Sequence, residues 1–151
     1  MTIMAVADLV RRLAVSWSTM ACRAAPTGAL ALLLCLNGCD DGCANTVAQR
    51  LDSPDGFMTA VLYQRDCGAT TGYSSQISVL RSGDEPSGSG NAFVADADHG
   101  AARVAAWGGP WVEMKWLAPQ RLRIRYDGKA RLFRSDESVK GVSIRYEKVR
   151  R

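Results

Sequence analysis

Histidine is almost absent from this chain: His99 is the only one in 151 residues. An imidazole-based zinc site therefore lacks its ligands, and general acid–base work at neutral pH falls on one side chain. Flanked by Asp96 and Asp98, His99 is the candidate base of a hydrolase. The serine elbow such an enzyme uses is also missing, because Gly88-Ser89-Gly90 lacks the full Gly-x-Ser-x-Gly pattern. The same glycines open no phosphate-binding turn, since no third glycine starts a helix at the needed spacing. Asp96 and Asp98 fall short of the roughly six to eight oxygens that calcium takes. The expectation is no catalytic set, no cofactor and no metal, with His99 a solvated loop residue. Long apolar runs are missing too. The uncharged stretch 24–38 contains Pro26, Thr27 and Asn37 and is shorter than the about 20 residues a spanning helix requires.

What is present begins with Gly28-Ala29-Leu30-Ala31-Leu32-Leu33-Leu34-Cys35-Leu36-Asn37-Gly38-Cys39, preceded by Arg23. A basic flank, a short apolar core and a small residue before a cleavage point are the parts of an export signal. Its end, Leu36-Asn37-Gly38-Cys39, resembles the lipobox of bacterial lipoproteins, with Asn37 where that class usually carries a small or β-branched residue. The resemblance implies cleavage between Gly38 and Cys39, a diacylglyceryl group on the Cys39 thiol and palmitate-type acylation of the new amine. Buried methylenes contribute about 0.8 kcal/mol each, so two or three chains on one residue form a durable anchor. The alternative is an ordinary secretory signal that leaves Cys39 a plain thiol. Asp40, followed by Asp41, resembles the inner-membrane retention signal of enterobacterial lipoproteins; the alternative there is a solvated acidic tether. The expected location is thus the cell membrane, facing the periplasm, with the inner membrane favoured over the outer. Met20 gives a more compact leader than Met1 and is the expected start.

On this reading residues 1–38 are a signal peptide, 39–52 a lipidated tether and 53–151 a β domain. The 113 residues from Cys39 suffice for one small domain. Cys22 and Cys35 leave with the leader and Cys39 carries lipid, so Cys43 and Cys67 remain. Two thiols in an oxidising compartment favour a disulfide, which would tie the tether to the first hairpin. Charge is divided along the chain. Residues 39–100 hold three basic against nine acidic side chains, a net of −6, whereas 101–151 hold thirteen against five, a net of +8. Such a half suits an anionic surface or an acidic partner, and the compartment excludes nucleic acid.

Punctuation and alternation set the fold class. Ser53-Pro54-Asp55-Gly56 is a turn that resembles the turn of some propeller blades, but it has no second copy, and a propeller needs repetition. Residues 57–64 and 73–81 read as a hairpin, the first strand apolar on both faces and therefore central. The stretch 82–90 reads as an exposed connection, 91–95 as a short strand, and 96–110 as a long loop. Strands follow at 111–117 and 121–126, the second alternating Leu122, Ile124 and Tyr126 with Arg121, Arg123 and Arg125. After the turn signal Asp127-Gly128, strands at 130–134 and 142–149 complete about seven. The expected fold is mainly β, a small antiparallel sandwich or open barrel after a cleaved helical signal segment. Arg65-Asp66-Cys67-Gly68-Ala69-Thr70-Thr71 and Phe93-Val94-Ala95-Asp96 are similar to blocks of small envelope lipoproteins of Gram-negative bacteria, a resemblance that carries no activity.

Trp107 and Trp111, on and beside the long loop, form with Arg121, Arg123 and Arg125 the candidate binding surface, because exposed aromatics and arginine dominate interfaces. The plain alternative is core packing for the tryptophans and solvation for the arginines. Alternation puts Trp111 and Trp116 on opposite sides, so at most one need be buried. The leading expectation is a membrane-anchored domain, not an enzyme, that binds another envelope component. A periplasmic enzyme inhibitor acting through 96–110 is the second reading, and a hydrolase using His99 the third.

Overall fold

A computed structural model describes residues 42–150. The signal segment, Leu36, Asn37, Gly38, Cys39 and Asp40 lie outside the described residues. Every regular element within them is a strand: β1 (Ala44–Asp52), β2 (Met58–Asp66), β3 (Ser74–Arg81), β4 (Phe93–Asp96), β5 (Val112–Ala118), β6 (Arg121–Asp127), β7 (Arg131–Ser135), β8 (Ser138–Val139) and β9 (Val142–Val149). They form two sheets, ordered β1-β2-β3-β4-β7 and β5-β6-β9-β8. The result is a sandwich, not a closed barrel.

Alternation decides which side chains meet between the sheets. Ala60 and Leu62 of β2 lie opposite Val79 and Ile77 of β3, and all four join Phe93, Met114, Leu122 and Ile124 in one buried cluster. Leu62, Ile77, Leu122 and Ile124 are at most 1% exposed, so each contributes about 1.5–3 kcal/mol. Phe93 sits at the centre, its ring 5.5 Å from that of Tyr126 and 6.2 Å from that of Tyr146. The Tyr146 hydroxyl lies 2.8 Å from both the Ala92 and Asp136 carbonyls, which share its one hydrogen. Burial, with Asp136 and Glu137 nearby, raises its pKa well above the usual tyrosine range.

Two differences from the expected fold have physical causes. The second sheet is mixed, because β6 and β9 run parallel. Asp127-Gly128 does not close a hairpin: it sends the chain to β7 in the first sheet, so β9 returns beside β6 in the same direction. Tight pairing resumes at β8–β9, where Lys140 and Gly141, at φ 50° and 81°, make the two-residue turn that a twisted hairpin favours. The strand count is nine because of β8 and β1. The stretch read as a tether is a strand from Ala44, its residues largely exposed and without apolar alternation, held by its ladder to β2. Cys43 extends that ladder as a disulfide to Cys67, with Cα atoms 4.1 Å apart.

The two apolar faces of β2 have separate destinations. Val61 and Tyr63 point away from the main core and cluster with Leu80 on the outer face of the first sheet. There the connection 82–90, itself mostly exposed, lies across them. The Gly88 carbonyl accepts from Asn45 Nδ2 (3.0 Å), Tyr63 Oη (3.4 Å) and Arg65 Nη1 (2.9 Å). Gln76 Oε1 accepts from the Gly90 N–H at 2.6 Å. Arg65, only 5% exposed, also donates to Asn45 Oδ1 at 2.6 Å, which keeps a buried guanidinium hydrogen-bonded.

The disulfide closes a loop spanning the whole of β1 and β2, and such a closure contributes about 3 kcal/mol in the chain-entropy model. Urea unfolding with and without a thiol reductant is expected to differ by about that amount. Superimposable curves would show that the Cys43–Cys67 bond does not stabilise the fold.

Candidate functional site

Between β4 and β5 the chain crosses from one sheet to the other, and the long loop of the sequence is an ordered crossover. Asp96 Oδ1 accepts the Asp98 N–H at 2.9 Å, and Asp98, His99 and Gly100 follow with φ of 46°, 55° and 89°. Asp and His tolerate this left-handed region better than most residues. Backbone bonds from Gly100 and Ala102 to Ala97, at 3.0 Å each, close the turn. Farther on, Val104 pairs with Pro110. Trp107 folds beneath, its Nε1–H donating to Ser75 Oγ at 2.8 Å, while that hydroxyl donates to the Pro110 carbonyl at 2.7 Å. Two glycines allow this approach. A Cβ on Gly108, whose φ is 89°, would stand 2.8 Å from the Tyr73 ring, and one on Gly109 would stand 2.9 Å from Ser75 N. The far end is tied to β6, where Asp127 accepts from the N–H groups of Lys129 (2.9 Å) and Arg103 (3.2 Å).

The crossover forms one wall of a cleft of about 680 Å³ whose other walls are residues 67–74, the end of β4 and β7. Tyr73, Val104 and Phe133 line it, at 47%, 53% and 60% exposure. Asp96 and Arg131, which also line it, form an ion pair, with Nε and Oδ1 at 3.2 Å, and the Arg131 guanidinium carbon lies 5.0 Å from the centre of the Phe133 ring. Desolvation works against charge on Asp96, but Arg131 and the Asp98 N–H outweigh it and hold the carboxyl below its ordinary pKa. The Lys129 N–H does the same for Asp127 against the cost of its burial, with help from Arg103. His99 stands exposed at the rim. Chemically the cleft offers apolar contact, one fixed ion pair and threonine hydroxyls, the equipment of a binding site. Among the described residues no group of three or more His, Cys, Asp or Glu side chains is placed to hold a metal ion.

The structure divides the expected Trp–Arg surface. Trp107 leaves it, packed partly buried against the core and committed to Ser75. Trp116, on the inner side, also packs there and donates to the Leu51 carbonyl at 2.9 Å. Trp111 precedes β5 on its outward parity, with the Arg103 guanidinium 4.7 Å above its ring. Arg121, Arg123 and Arg125 lie along the outer face of β6. There Arg123 registers with Lys115 on one side and Arg145 on the other, and Arg125 with Glu113 and Glu147. Arg125 reaches Glu113 at 3.1 Å and Glu147 at 3.8 Å; Arg123 reaches Glu113 at 3.7 Å.

Sequence reading missed Tyr73, Val104, Arg131 and Phe133. Tyr73 shares the odd parity of Ser75, Ile77 and Val79, but it precedes the first paired residue of β3 and turns outward. Lys115 and Arg145 had a usable signal, the charged alternation of their own strands. Lys115 reaches Arg123 across the antiparallel β5–β6 pair, whereas placing Arg145 beside it required the parallel β6–β9 register. Comparison of the chain with known protein families, curated proteins and solved structures finds no match.

Because the folded state lowers the pKa values of Asp96 and Asp127 beneath 3.8, it binds fewer protons than the unfolded chain as pH falls through that value. Their contribution is complete above the unfolded pKa and is lost through the folded one. Unfolding free energy is expected to fall on acidification below about pH 4, with a shallower slope in Asp127→Asn. Equal slopes in the two proteins would contradict this role for Asp127.

Proposed function

We propose that this chain is an envelope lipoprotein, anchored through Cys39 and facing the periplasm, whose β domain binds another envelope component at the cleft. The observation that carries the binding assignment is the convergence of exposed apolar side chains. Of the six large hydrophobic residues exposed among those described, Tyr73, Val104 and Phe133 all line this one cleft. Scattered surface hydrophobes need no explanation, whereas a contiguous apolar patch with a polar rim is what a partner covers. The walls are fixed by hydrogen bonds, so little ordering cost opposes association.

The disulfide supports the compartment, and the chain's reach says where the anchor would hold the domain. The Cys43–Cys67 bond belongs to an oxidising environment. Four residues from Cys39 to Cys43 span at most about 14 Å, so a lipid on Cys39 holds the stapled end, and the cleft beside Cys67, close to the bilayer. Asp40 favours the inner membrane under this reading. An inhibitor acting through 96–110 is the second reading, favoured by the consecutive left-handed Asp98 and His99, which present a preorganised tip. The tip is confined to residues near 97–101, because Trp107 and Pro110 are turned inward.

Intact mass of membrane-extracted protein is expected to show a species beginning at Cys39 with added acyl chains. A soluble Cys39→Ser form, crosslinked in envelopes, should recover a defined partner, and Tyr73→Ala/Phe133→Ala should reduce that recovery at least about tenfold, as loss of aromatic anchors does. An unmodified terminus would remove the lipoprotein assignment. Undiminished recovery by the double variant would remove the cleft.

A further inference from the structure

The outer faces of the two sheets differ in how they are finished. The first is roofed by 82–90, while the second carries rows of charge on β5, β6 and β9. Across its middle, Lys115, Arg123 and Arg145 stand side by side in register. Like charges directly opposite one another on neighbouring strands oppose folding, and neighbouring carboxylates do not cancel this row. Glu113 is 3.1 Å from Arg125 but 3.7 Å from Arg123, and Glu147 pairs with Arg125 and, at 3.4 Å, with Arg145. Arg123 Nε is moreover a buried nitrogen with no hydrogen-bond partner among the described residues. With Arg121 and Arg125 the outward positions hold five cations against Glu113, Glu147 and, at the Trp111 end, the buried Asp127, whose carboxylate is engaged by the Lys129 and Arg103 N–H groups.

We infer that this face docks on the anionic headgroups of a lipid bilayer, with Lys115, Arg123 and Arg145 as its centre. Charge complementarity sets the sign of the ligand. The geometry selects a surface: strands about 4.8 Å apart spread the cations over an open sheet face, which suits an array of phosphates better than a single pocketed anion. The ends of the face fit the same occupant. Trp111 stands on the outward parity at one end, and Leu117, 47% exposed, occupies the bulge beside Arg121 at the other. Tryptophan and aliphatic side chains flanking basic residues are the composition of an interfacial contact. An acidic protein can meet the charge requirement, but it does not explain why the central row, Lys115, Arg123 and Arg145, crosses three strands with one cation on each. The face is separate from the cleft, and its assignment does not rest on lipidation of Cys39.

The test is co-sedimentation of the full chain carrying Cys39→Ser with phosphatidylcholine vesicles, with and without a minority of phosphatidylglycerol, over a range of salt. Any contribution of residues 1–38 is common to all variants, so the comparison isolates the face. Lys115→Gln/Arg123→Gln/Arg145→Gln should lower affinity for the anionic vesicles at least about tenfold at low salt, since each basic residue near such a surface contributes severalfold. It should leave affinity for neutral vesicles unchanged. Arg81→Gln/Lys129→Gln/Lys140→Gln, which removes the same charge from elsewhere, should retain the wild-type preference; near-ultraviolet circular dichroism confirms that both variants are folded. Equal losses in the two triple variants would reduce the effect to net charge and overturn the assignment. So would wild-type binding that does not distinguish the vesicles, including the case in which soluble polyglutamate binds instead.

Discussion

The hydroxyl of Ser75 is the point on which the site depends. It is wholly buried on the inward side of β3, at a position where alternation would otherwise supply an apolar side chain. A hydroxyl removed from water costs free energy unless its bonds are made, and this one makes two, accepting from the Trp107 indole and donating to the Pro110 carbonyl. Those partners lie on the segment that carries the chain between sheets. The bonds fasten the segment that leads into β5 and carries Val104 to the cleft that Tyr73 also lines, and its close approach to Tyr73 and Ser75 requires glycine at 108 and 109. The cleft is a consequence of how the crossover is fastened.

A small sandwich leaves two outer faces to be reconciled with water, and this one treats them differently. On the first sheet, Val61, Tyr63 and Leu80 are too apolar to be left open, and the glycine-rich connection covers them, with the Gly88 carbonyl collecting three donors. On the second, alternation supplies charge across the middle of the face, where Lys115, Arg123 and Arg145 stand side by side. The cleft lies between these treatments, at the end stapled by Cys43–Cys67, where β1 gives the domain an ordered start only a few residues after Cys39.

Much of this fold was legible because its strands alternate. The boundaries of β2, β3, β5, β6, β7 and β9 lie within two residues of those expected, and the Cys43–Cys67 pairing followed from counting thiols. Strand β1 was not legible, because Asn45, Thr46, Gln49 and Arg50 show no two-residue apolar period; a disulfide and an edge ladder hold them instead. The parallel β6–β9 pair was hidden because Asp127-Gly128 reads as a hairpin turn whether or not the chain changes sheets. The cleft was the least legible feature. Its walls come from four separate segments, and Trp107, the most conspicuous candidate, serves as its inner support.

A domain fastened in this way presents a preformed cleft and a separate charged face, and the proposal that the cleft binds a partner rests on that rigidity. The most direct test is hydrogen exchange of the Trp107 indole N–H and the Ala102 and Gly108 amides, all of which donate within the structure. Protection approaching that of the β2 and β3 amides, about a hundredfold or more over an open chain, is the predicted result. Exchange at the rate of an unstructured segment would show that the crossover is not fastened through Ser75, and the preformed cleft would fail with it.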